Sequence, residues 1–161
     1  MRKYSVIAFG LIILIIANYT IYSRENIIRD GKVVLLELVP VDPRSLMQGD
    51  FMRLRFSISN KAFGRSRHIK DKPKDGYEVL TLDNNLVGSF VRLDKSNTNS
   101  DNNFRIRYRI RNGRVKIATN AWFFQEGDGK RFEAARYGEF RVSDTGLAIL
   151  TQMRDSDFNV L

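Results

Sequence analysis

The chain has 161 residues, 43% of them hydrophobic, with Lys+Arg 27 against Asp+Glu 18 and a formal charge of +9. That apolar content excludes a disordered polymer, and the absence of cysteine excludes a disulfide framework, a thiolate metal site and a thiol nucleophile. The basic balance favours anionic partners such as lipid headgroups, acidic polymers or an acidic protein patch.

Ser5 to Tyr22 reads SVIAFGLIILIIANYTIY and carries no charge. At ~1.5 Å per residue it is about 27 Å long, close to the thickness of a bilayer core. Arg2 and Lys3 precede it, which predicts a cytoplasmic N-terminus. The residues after Ala17 offer no small-residue cleavage pair, so the segment reads as an uncleaved anchor. The expected organisation is residues 1–4 in the cytoplasm, 5–22 across the membrane, 23–31 as a juxtamembrane linker, and 32–161 as an extracytoplasmic domain. Removing Arg2 and Lys3 leaves that exported part at +7. A domain facing outward has little reason to meet nucleic acid, and none is expected as a partner.

The exported part reads as strands and turns. Lys32 to Val41 is near-continuously apolar and fits a buried strand, stopped by Pro40 and Pro43. Arg44 to Asp50 is a loop ending in the Gly49-Asp50 turn signal. Phe51 to Ser59 alternates, with Met52, Leu54, Phe56 and Ile58 on one face and Arg53, Arg55 and Ser57 on the other. Asn60 to Gly76 reads as a long polar loop. Tyr77 to Leu82 and Leu86 to Leu93 form a hairpin around Asp83-Asn84-Asn85. Asp94 to Asn103 is a loop tip. Phe104 to Arg111, then Asn112-Gly113, then Arg114 to Thr119 is a second hairpin with the strongest short turn signal. A short helix is expected over 130–137, a strand over 139–143, a turn at 144–146 and a last strand over 147–153. The predicted class is mainly β: an N-terminal transmembrane helix plus an antiparallel β sandwich or small barrel with one short helix.

Two blocks carry a resemblance. The first is Pro40-Val41-Asp42-Pro43-Arg44-Ser45-Leu46 with Gly49-Asp50-Phe51-Met52-Arg53-Leu54-Arg55-Phe56. The second is Phe123-Phe124-Gln125-Glu126-Gly127, then Ala135-Arg136-Tyr137-Gly138-Glu139-Phe140-Arg141-Val142, then Gly146. Together with the anchor they resemble the bacterial GDYXXLXY family over most of the chain. The resemblance implies a membrane-anchored protein of the bacterial cytoplasmic membrane with a periplasmic or extracytoplasmic domain. It also implies a multi-pass membrane protein as partner. It implies no reaction. Both motif tyrosines are phenylalanine here, Phe51 and Phe56, so the positions serve by aromatic packing rather than by a hydroxyl. Pro43, Gly49, Phe51, Leu54, Phe56, Tyr137 and Gly138 read as structural members of the motif.

Three chemistries can be weighed. Asp42, Arg44 and Asp50 on one irregular loop either fix that loop by an ion pair and turn hydrogen bonds or form the rim of a ligand pocket. Ser45 raises a serine/lysine hydrolase, faintly similar to the signal peptidases. That chemistry needs a desolvated lysine, and Lys116 in VKIA is the candidate, with Asp50 as the third catalytic candidate. Arg105, Arg107, Arg109 and Arg111 fall on one face of a strand, opposite Phe104, Ile106, Tyr108 and Ile110. That stripe is either a solvated outer face or a docking face for anionic lipid, an envelope polymer or a membrane partner. Glu126, Arg136 and Glu139 are expected as a hydrogen-bonded network, with Glu126 or Glu139 paired to Arg136, or as the second half of a site. His68 stands alone and the Asn97 to Asp101 run lacks the glycine and distant glutamate of a calcium loop, so neither metal nor cofactor is expected. The favoured function is a non-enzymatic accessory or assembly subunit. The membrane-tethered hydrolase and a binding module for an anionic envelope ligand are the alternatives.

Overall fold

The computed structural model describes residues 2–39, 51–64, 73–95 and 103–161. Helix α1 spans Arg2–Asp30. It is long and apolar enough to cross a membrane. Its apolar residues, among them Val6, Phe9, Ile13, Ile15 and Tyr19, are exposed. The stretch read as a polar linker continues the same helix to Asp30, and Ile27 is buried against the domain. The helix stops at Gly31, whose N–H donates to the Ile27 carbonyl at 2.9 Å. A side chain at Gly31 would collide with that carbonyl and crowd Arg141. Arg141 Nη1 donates to the Gly31 carbonyl at 3.2 Å and closes the junction. The helix is therefore docked on the domain it carries.

The domain is mainly β and antiparallel, as its turn spacing predicts. Strands β1 (Lys32–Glu37), β8 (Tyr137–Val142) and β9 (Ala148–Arg154) form a three-stranded sheet in the order β1-β8-β9. Strands β3 (Asp75–Leu82), β4 (Gly88–Asp94), β5 (Phe104–Arg111) and β6 (Arg114–Ile117) form a second sheet in the order β4-β3-β5-β6. A short pair, β2 (Phe51–Arg53) with β7 (Ala121–Phe123), completes it. Both large sheets contribute to one core, with Val34, Leu36, Phe140 and Met153 from the first and Leu80, Ile106, Tyr108 and Ile117 from the second. The Val34 and Leu36 side chains lie beside Leu80 around Gly88, and the Leu35 N–H donates to the Leu86 carbonyl at 2.9 Å, so the two sheets meet where β1 passes the start of β4.

The β5–β6 turn adopts the expected form. Asn112 and Gly113 both have positive φ, 52° and 69°, the pair a two-residue hairpin with native twist requires. The β3–β4 loop is organised by Asp83, whose Oδ1 accepts from the Asn85 and Val87 amides at 2.9 and 2.8 Å.

Two expectations are corrected. The strand read over 51–59 ends at Arg53, and α2 occupies Ser57–Phe63. Met52, Leu54, Phe56 and Ile58 are all buried as the alternation implies. Ile58 and Phe63 are the buried residues of the helix, and Ala62 packs on the same core. The spacing of 58, 62 and 63 is helical, and Gly64 with φ 64° terminates it. The helix read over 130–137 is only one turn, α3 (Gly129–Phe132). Strand pairing displaces the rest: Arg136 N–H donates to the Arg154 carbonyl, and Leu38 N–H to the Arg136 carbonyl, both at 2.8 Å. Among the described residues the domain thus has two short helices where one was expected.

Candidate functional site

The first motif block lies mostly outside the described residues: Asp42, Pro43, Arg44, Ser45, Gly49 and Asp50 all fall there. Its second half is described, and it is packing. The Phe51 ring lies 5.7 Å from that of Phe123. Leu54 and Phe56 are buried. The Phe56 ring meets Phe140 edge-on at 5.3 Å, a favoured aromatic geometry. A Cβ added at Gly138 would lie 3.2 Å from the Phe140 ring, 3.1 Å from Leu150 and 3.5 Å from Phe56. The two blocks, distant in sequence, therefore meet at Phe56, Gly138 and Phe140. The contact is apolar, so a phenylalanine at 56 fills it without needing a hydroxyl.

The charged residues of the second block separate. Glu139 is buried, and its partner is Arg154, not Arg136. Arg154 Nε donates to Glu139 Oε2 at 2.6 Å, with Nη2 at 2.5 Å from the same oxygen. Arg154 Nη1 also donates to the Phe158 carbonyl at 2.5 Å. Phe158 stacks on Tyr137 at 5.0 Å. The pair thus clamps the C-terminal segment onto β8 and β9. Arg136 and Glu126 are exposed, and no ion pair joins either to Glu139 among the described residues. The register explains the partner: Tyr137 lies opposite Arg154 and Glu139 opposite Gln152, which brings Arg154 diagonally within reach.

Lys116, the candidate lysine base, is exposed on β6 opposite Arg109. A solvated ammonium next to a guanidinium is not the desolvated amine that a serine/lysine mechanism uses.

The arginine stripe divides in two. Arg105, expected with the others on an exposed face, is buried, with its guanidinium 3.8 Å from Asp94. The β8–β9 turn covers it: Gly146 (φ 77°) sits against Tyr77 and the Arg105 carbonyl, and its own carbonyl accepts from the Arg107 amide at 2.8 Å. Arg107, Arg109 and Arg111 are exposed as expected. Arg111 pairs with Asp75 at 3.2 Å. The hairpin register sets Arg109 opposite Lys116 and Arg111 opposite Arg114. Like charges directly opposite repel. Among the described residues no acid is ion-paired to Arg107, Arg109, Arg114 or Lys116. The Asn120 amide bridges to the Leu54 and Val115 carbonyls at 3.4 and 3.3 Å, which ties the exposed Arg53 and Arg55 segment to β6. Arg107, Arg109, Arg111, Arg114 and Lys116 thus make an exposed basic patch on the β5–β6 hairpin, with Asp75 of β3 opposite Arg109.

One residue escaped the sequence reading. Glu78 is fully buried, and neither carboxylate oxygen has a hydrogen-bond partner. It sits on the core face of β3 between Leu93 and Ile106. Burial pushes its pKa up to about 8, so the group is mostly a neutral acid at pH 7. Burial, then Glu78 and Asp75, raise the pKa of Tyr108. The signal was present: the alternation that puts Leu80 inside puts Glu78 there too.

These features define a β-domain protein carried on an apolar helix, with a clamped C-terminal segment and an exposed basic patch on the β5–β6 hairpin. The family model described as GDYXXLXY protein matches residues 13–153. The chain belongs to that family. No curated protein and no solved structure matches it.

Proposed function

We propose that the chain is a membrane-anchored accessory or assembly subunit that pairs with a multi-pass membrane protein. In this reading α1 crosses the bacterial cytoplasmic membrane with its N-terminus inside, and the β-domain stands on the periplasmic or extracytoplasmic side. The observation that carries it is the junction. The helix runs unbroken from its exposed apolar span to Ile27, docked on the domain. A passive tether needs only a flexible linker, whereas a docked helix holds helix and domain in one orientation toward a shared partner. The domain contributes no contacts to the span, and Gly10 would meet nothing within 4 Å if it carried a Cβ. Asn18 Nδ2 donates to the Leu14 carbonyl at 2.9 Å, leaving its carbonyl for a neighbouring helix. The hydrolase alternative gains nothing from an exposed Lys116.

Purification in mild detergent tests this. A multi-pass protein should co-purify in stoichiometric amount, and two glycines inserted after Asp30 should weaken its retention. A clean monomer overturns the reading.

A further inference from the structure

We propose that the basic surface of β5 and β6 docks the domain on phosphate groups of anionic lipids in the same bilayer that α1 crosses. The inference goes beyond the subunit reading and rests only on its anchoring half.

Position is the first ground. The stretch from Ser23 to Asp30 adds about 12 Å of helix beyond the apolar span. The headgroup layer occupies roughly half of that, since a bilayer of ~40–45 Å holds a ~30 Å core. The base of the domain therefore stands a few ångströms above the phosphates. The residues at that base are identifiable. Gly31 touches Arg141 and Val142. Lys32 lies 3.8 Å from Asp144 in the β8–β9 turn and 5.5 Å from the Phe104 ring centre. That turn continues to Gly146, whose carbonyl holds the Arg107 amide. The arginine stripe therefore starts at the end of the domain where α1 joins it.

Charge is the second ground. Arg109 faces Lys116 and Arg111 faces Arg114 across the hairpin, with exposed Arg107 two residues along β5 from Arg109. Asp75, opposite Arg109 on β3 and ion-paired to Arg111, is the acid among them, so the described basic side chains outnumber it. Such a cluster is relieved by anions. Guanidinium groups bind phosphate oxygens bidentately, and each basic residue near an anionic surface adds to attraction within a Debye length of ~8–10 Å. A soluble acidic peptide would satisfy the same charges. The anchor decides for lipid, because it holds the stripe beside headgroups at a concentration no free ligand matches.

Arginine reactivity tests it on the full chain. The protein is reconstituted into nanodiscs of phosphatidylcholine alone or with about one third phosphatidylglycerol. Phenylglyoxal modification is then followed residue by residue by mass spectrometry. Arg107 and Arg109 should react roughly fivefold more slowly in the anionic discs, and the protection should vanish in ~1 M NaCl. Arg131 and Arg136, exposed outside the hairpin, should react alike in both discs. In the R107E/R109E chain, Arg114 should lose its lipid dependence. Equal reactivity of Arg107 and Arg109 in both discs overturns the proposal and leaves the anchor intact. Equal protection of Arg131 and Arg136 also overturns it, as diffuse attraction. Protection by soluble polyglutamate with none from anionic discs overturns it in favour of an acidic peptide. Failure to enter the discs overturns the anchor as well.

Discussion

Glu139 and Glu78 are both buried carboxylates in the same small domain, and their surroundings make opposite use of them. Glu139, on β8, meets Arg154 at hydrogen-bond distance, and the pair fastens the C-terminal segment. Glu78, on β3, has no partner for either oxygen and is kept neutral by burial. A paired buried charge fixes geometry and is costly to break, whereas an unpaired one makes stability depend on pH.

Removing one side of the pair breaks the comparison most severely. Arg154→Met should turn Glu139 into a second unpartnered carboxylate and cost roughly 3–5 kcal/mol. Urea unfolding of the full chain in detergent should show it as a lower midpoint, and Glu139→Gln in the same background should recover part of the loss. A neutral Arg154→Met would mean that the clamp is ornamental.

Glu78 should give the next largest effect. Its folded pKa of about 8 lies above the ordinary 4.5, so between those values the folded state holds more protons than the unfolded state. The contribution of Glu78 to stability should then be fully present below pH 4.5 and be lost as pH rises through 8, by a few kcal/mol in all at 1.36 kcal/mol per unit. Glu78→Gln should flatten that slope, read from melting temperatures across the range. A wild-type slope unchanged by the substitution would show that another group titrates.

Smaller effects sharpen the contrast between packing and charge. Gly138→Ala places a methyl 3.1 Å from Leu150 and 3.2 Å from the Phe140 ring, and should cost about 1–3 kcal/mol by overpacking. Asp83→Ala removes two accepted amide hydrogen bonds in an exposed loop. It should cost about 1 kcal/mol, with faster hydrogen exchange at Asn85 and Val87.

Features decided by neighbouring residues are legible in this sequence, and features decided by distant contacts are not. The β5–β6 hairpin was legible because its turn is decided by two residues, and its inward face by strict alternation. The helix at 57–63 was missed because Met52 to Ile58 alternates well enough to prolong a strand, while the helical spacing of 58, 62 and 63 begins only where the alternation ends. Periodicity puts Arg105 on the outer face but cannot see the β8–β9 turn that covers that end of the strand. The convergence of Phe56 with Gly138 was invisible because the two lie in blocks far apart in the chain.

By itself the sequence determined the apolar helix, the antiparallel β class, the two hairpins and the arginine face, since each follows from local period, turn chemistry or a run of apolar residues. Only the tertiary structure decided that α1 docks through Ile27, that Glu139 answers to Arg154, and that Glu78 has no partner. Those outcomes depend on which distant side chains come to share one low-dielectric interior, and no local pattern encodes that.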